Sequence, residues 1–154
     1  MFPWLGYVAH FTAPAAFGPK TFLTFASVLI RREVFADIGL LDERYFMYFE
    51  DSDFCFRSRI AGWQLAIAAD TAVLHKEGGS ADRRMSGRMQ RIVTTSGLHF
   101  LRRYAAAPPI SMTLFVMSRI SKRLVLADLS GLRAVAHGVS DWWQTRSAVF
   151  EGGS

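Results

Sequence analysis

Helix-stopping residues divide this chain into short pieces. Gly39, Gly62 and the pair Pro108-Pro109 each follow a stretch of helical character. Glycine takes up the left-handed turn that closes a helix, and proline cannot continue one. The spacing therefore predicts a short helix over residues 31–38, ending at Gly39, and a second over about 50–61, ending at Gly62. Residues 40–49 between them form a loop rich in aromatics, with Tyr45, Phe46, Tyr48 and Phe49. A buried strand is expected around 24–30, where the run is apolar and partly β-branched. Two further extended segments, 64–69 and 71–75, are split by Asp70. After the flexible loop Gly78-Gly79-Ser80, a long basic helix over 83–106 is ended by Pro108-Pro109. Helices over 111–129 and 132–145 follow. Residues 1–20 carry Pro3, Pro14, Pro19, Gly6 and Gly18 and read as an irregular arm. The order of strand, helix, helix, strands and helical tail is that of the back part of an α/β domain. The expected division is an arm over 1–23, an α/β portion over 24–82 and a basic α-helical tail over 83–154.

Composition narrows the class. At 154 residues and 51% hydrophobic content, the chain can bury a real core and is too apolar to be disordered. The formal charge is +5, unevenly placed: residues 83–103 hold six arginines and no acid. A basic half suits an anionic membrane surface, a phosphate-bearing substrate or nucleic acid. The single cysteine, Cys55, excludes an internal disulfide and fits a reducing compartment. The first residues lack the pattern of a signal peptide, and no apolar run approaches the ~18–20 residues that span a bilayer. A cytoplasmic protein, lying on the membrane if it touches it, is the expectation.

The chemistry-bearing residues cluster at the second helix. Glu50, Asp51 and Asp53 fall in its first turn, and His75 ends the later extended segment. Carboxylates serve as general bases in sugar and phosphate chemistry, and a histidine with carboxylates is a common set for divalent metals. Helical spacing puts Glu50, Asp53 and Arg57 on one face, so Asp53 and Arg57 can pair. Asp51 points elsewhere, toward the side of Cys55 and Ser58. The plain alternative is that acids in a first turn complement the helix dipole, at ~0.3–1 kcal/mol each. For His75 the alternative is a hydrogen-bonded structural histidine.

Several stretches in order resemble a known family. They are Ala26-Ser27-Val28-Leu29-Ile30-Arg31-Arg32-Glu33-Val34-Phe35, Ile38-Gly39-Leu40-Leu41-Asp42-Glu43-Arg44-Tyr45-Phe46, Tyr48-Phe49-Glu50-Asp51-Ser52-Asp53-Phe54-Cys55-Phe56-Arg57, Ala61-Gly62-Trp63, and Val73-Leu74-His75-Lys76-Glu77-Gly78-Gly79-Ser80. Together they resemble the C-terminal half of a family 2 glycosyltransferase of the GT-A (Rossmann-like) fold. The rhamnosyltransferase-like members, which build bacterial cell-wall and surface polysaccharides, are the most similar in pattern. The resemblance implies inverting transfer of a sugar from a nucleotide-sugar, such as dTDP-rhamnose, to a hydroxyl of a saccharide or polyprenyl-linked acceptor. It implies that Asp51, in the Glu50-Asp51 motif, is the general base. It implies that His75 helps hold Mg²⁺ or Mn²⁺, and that Asp53 and Arg57 fix the helix carrying Asp51. Gly78, Gly79 and Ser80 would lie near the diphosphate or the lipid phosphate.

The pattern also departs from that family. Its N-terminal half carries a nucleotide-binding βαβ unit and an Asp-x-Asp metal motif, and no acid precedes Glu33 here. Phe25 stands where the family usually has glycine. The expectation is a fragment that needs a missing half or a partner chain for donor binding, and that is inactive by itself. The alternative is a non-catalytic remnant acting as a membrane-surface or protein-interaction module. Nucleic-acid binding is not expected. The arginine-rich helix interleaves Ile92, Val93, Leu98, Phe100 and Leu101 at core-like spacing, and no nucleic-acid motif is present.

Overall fold

The structure, a computed structural model, describes residues 22–68, 70, 71, 73 and 86–146. Its elements are α1 (Arg32–Ile38), α2 (Glu50–Ile60), α3 (Gly87–Tyr104), α4 (Pro108–Val125) and α5 (Leu129–Thr145). The described residues of the arm and of the connections between these helices are irregular.

The α/β expectation is overturned: among the described residues there is no strand and no sheet. The apolar run at 24–30 turns at residues 25–27 instead of extending, and Leu29 is fully exposed. Residues 64–68 are irregular as well. A strand exists only where another backbone completes its ladder, and an apolar β-branched run finds no such neighbour among the described residues. Residues 69, 72 and 74–75 of the other expected strands lie outside the described residues.

The helices form because local signals and packing agree. Ser86 caps α3, its hydroxyl accepting a bond from Met89 N–H at 3.3 Å. Along α3, Gln90, Val93, Thr94, Gly97, Leu98 and Leu101 are buried at three- and four-residue spacing, the stripe of a core-facing helix. Pro108 and Pro109 occupy the first turn of α4 rather than only stopping α3. Proline has a suitable φ there, and the N–H it lacks would have had no partner.

Helix α3 packs most extensively on α5, and α4 closes over both. Their shared core is Leu98, Leu101, Phe115 and Trp142, flanked by Met112, Val116 and Val139. Glycines set the approach. A Cβ on Gly138 would lie 2.7 Å from the Arg91 carbonyl oxygen, so only glycine lets α5 come this near α3. Thr95 Oγ1 donates across that contact to Gly138 O at 3.0 Å. The pair α1 and α2 docks on this bundle through rings: Phe49 and Phe56 lie 5.4 and 6.4 Å from Phe100, and Phe56 lies 4.3 Å from Tyr104.

Candidate functional site

Polar residues converge where α2 meets the end of α3. Asp53 is fully buried and sits at the centre. Its carboxylate accepts from Arg57 Nε at 2.8 Å, one helical turn on, and from Tyr104 OH at 2.6 Å. Arg103 Nη1 reaches it at 3.3 Å and Tyr45 OH at 3.5 Å. The pairing of Asp53 with Arg57 anticipated from spacing is therefore present. Arg57 also donates to the carbonyls of Ile38 and Leu40 at 2.5 and 2.8 Å, tying α2 to the end of α1. Burial, then the bond to Asp53, drives the Tyr104 phenol well above its usual range. Burial and the Asp53 charge do the same for Tyr45. Both phenols thus stay protonated donors to one buried anion. Asp42 belongs to the same web. It pairs with Arg44, which holds its carboxyl below the usual range, and Arg103 bridges to it at 3.2 Å.

Asp51 lies outside this web. It is half-buried, and its oxygen Oδ1 accepts from the N–H and hydroxyl of its neighbour Ser52 at 2.6 and 3.2 Å. Glu50 is also half-buried. Its Oε2 is shielded from solvent without a hydrogen-bond partner among the described residues, and burial raises its pKa. The turn delivering these two acids is strained. Tyr48 and Phe49 both hold positive φ, 65° and 70°, a region disfavoured for bulky residues. The surroundings impose it. Ser96 Oγ on α3 donates to Met47 O at 3.0 Å, and Phe49 packs on Phe100 and, at 6.5 Å, on Phe115. An open groove of about 360 Å³ lies beside this loop, where Arg44, Arg88, Arg91 and Asp141 meet Phe46 and Ile92.

The structure thus brings Glu50, Asp51, Asp53 and Arg57 together on α2. His75, Gly78, Gly79 and Ser80 lie outside the described residues. The expectation of Mg²⁺ or Mn²⁺ rests on His75, which lies outside the described residues. No group of three His, Cys, Asp or Glu side chains could hold a metal among the described residues, and Asp42 and Asp53 are already matched by arginines. Cys55 is buried, and burial raises its thiol pKa, so it is a core residue rather than a nucleophile.

Sequence reasoning missed Tyr45, Arg103 and Tyr104. The two α3 residues lie about fifty positions from Asp53, and no local spacing links them. It also missed the strained turn, because neither glycine nor asparagine marks it.

Comparison with known proteins gives a partial match. No family model matches the chain, and no solved structure matches it. Two curated proteins are similar, each named N-acetylglucosaminyl-diphospho-decaprenol L-rhamnosyltransferase, from the CDC 1551 and H37Rv strains of Mycobacterium tuberculosis. Each is 40% identical over 65 residues, which is 42% of this chain. The match spans 21% of the length of those relatives. Over that part, the chain is related to glycosyltransferases.

Proposed function

We propose that this chain takes part in inverting sugar transfer from a nucleotide-sugar to a hydroxyl acceptor, with Asp51 as the general base. The observation that carries the reading is the division of the acids on α2. Asp53 is enclosed by two arginines and two tyrosines, whereas among the described residues Asp51 is held only at one oxygen by its neighbour. A carboxylate so placed can take the acceptor's proton while the freed oxygen attacks the anomeric carbon and the nucleoside diphosphate leaves. Glu50, with an unpartnered oxygen beside it, is proposed to face the acceptor. In the groove beside the loop, Arg44 and Arg91 are already paired with Asp42 and Asp141, so Arg88 is proposed to offer the counter-charge for a diphosphate. The partial likeness to a rhamnosyltransferase acting on a decaprenol-linked sugar supports rhamnose as the sugar and a lipid-linked saccharide as the acceptor. No step of this proposal runs through a metal.

A graft tests it. In the mycobacterial relative, this chain replaces the segment it matches, and rhamnosyl transfer is measured. Retained transfer that drops on Asp51→Asn is the expected result. A folded, inactive graft would count against the proposal.

A further inference from the structure

Helix α4 buries charged and polar groups beside its apolar core residues. The side it turns to α3 and α5 carries Ser111, Phe115, Arg119 and Arg123. Arg123 is buried, donating to Gln90 Oε1 at 3.1 Å and pairing with Asp128 at 3.0 Å. Burial, then the charge of Arg123, lowers the Arg119 pKa to about 10. These polar groups share the inner side with Phe115, Met112 and Val116, and other aliphatic residues are turned out. They gather at the corner joining α4 to α5: Leu124, Val125, Leu126 and Leu129 are 60, 86, 43 and 69% exposed. Leu114 and Met117 extend the patch along the outer face of α4. Soluble surfaces seldom leave so many large aliphatic residues together in water without a partner.

The corner is rigid. Ala127 N–H donates to Leu124 O at 3.0 Å and Asp128 N–H to Arg123 O at 2.9 Å, while the Asp128 side chain caps α5 through Gly131 N–H at 2.8 Å. The apolar tip is therefore preformed.

Charge identifies the occupant. Lys122 lies one helical turn before Val125 and Leu126, and Arg133 one turn after Leu129, so exposed cations flank the tip. Asp128 is the sole acid in residues 105–140, and it is engaged by Arg123, Ser130 and Gly131. A second copy of the chain on this tip would set cation against cation with no free acid to meet it. An anionic lipid surface supplies the missing negative charge and accepts the aliphatic side chains. No helix among the described residues is long and apolar enough to cross a membrane, so such contact is peripheral.

We propose that the α4–α5 corner is a membrane-docking tip that inserts Leu124, Val125, Leu126 and Leu129 among anionic lipid headgroups. The proposal does not rest on the sugar-transfer reading. The test is flotation of the 154-residue chain with phosphatidylcholine vesicles, with and without phosphatidylglycerol, at low and high salt. Binding that needs phosphatidylglycerol and weakens with salt is expected. V125S with L129S should lower the bound fraction about tenfold or more. K122Q with R133Q should lower binding by about tenfold or more and remove the dependence on phosphatidylglycerol. All four positions are exposed, so melting curves should stay unchanged. Absent binding, equal recovery with neutral vesicles, or binding indifferent to V125S with L129S overturns the proposal. So does a dimer in sedimentation equilibrium that V125S dissociates, because a second copy would then cover the tip.

Discussion

Asp53 and Asp51 stand two residues apart on one helical turn, in opposite circumstances. A buried carboxylate is tolerable only when its charge and lone pairs are met, and Arg57, Arg103, Tyr104 and Tyr45 meet those of Asp53. Removing it leaves Arg57, largely shielded from water, without its anion. Asp53→Ala should therefore cost about 3–5 kcal/mol, the range for breaking a buried pair. Urea denaturation reads this directly, and a loss below about 1 kcal/mol would mean the web is ornamental. The pairing with Arg57 was legible from a four-residue spacing. Arg103 and Tyr104 were not, because their proximity follows from docking α3 on α2. Nor was the strain at Tyr48 and Phe49, which rings from α3 and α4 impose at residues that do not favour it locally.

Among the elements, helices were readable and strands were not. Every helix here has the period, cap or stop that local physics demands, so the expected spans lie near the observed ones. Pro108-Pro109 served two roles, and only the stop was anticipated. Residues 24–30 and 64–68 of the expected strands are irregular because an apolar run carries no record of whether a partner backbone exists. Close helix approach is likewise invisible until glycine is seen against its neighbour. Gly138→Val should push α5 off the α3 backbone and destabilise the chain by about 1–3 kcal/mol, as overpacking does. An unchanged thermal midpoint would show that the two helices can shift apart freely.

The cap of α5 has its own signature in pH. The Gly131 N–H, the Ser130 hydroxyl and the Arg123 guanidinium hold the Asp128 carboxyl down at about 2. A carboxyl depressed on folding adds stability above its unfolded value, near 3.9, and loses it as pH falls toward the folded value. Wild-type stability should thus drop between about pH 5 and pH 2, and Asp128→Asn should flatten that slope while starting lower at pH 7. Parallel curves for the two proteins would remove Asp128 from the account.

Among the described residues, α3, α4 and α5 form one helical bundle on which α1 and α2 are fixed by phenylalanines and by the Asp53 web. The expectation of a sheet came from apolar β-branched runs and the order of elements, and then from a resemblance carried by motifs, which need not specify the backbone around them. The acidic turn was therefore legible as a candidate site, while the packing of the helices around it was not. That architecture places one carboxylate in the structure and leaves its neighbour available. The most direct measurement of that claim is rhamnosyl transfer by the grafted protein with Asp51→Asn, set beside its unfolding midpoint. The account predicts a fall in kcat of roughly 10²–10⁴-fold with the midpoint unchanged. A rate within a few-fold of the unsubstituted graft would contradict it.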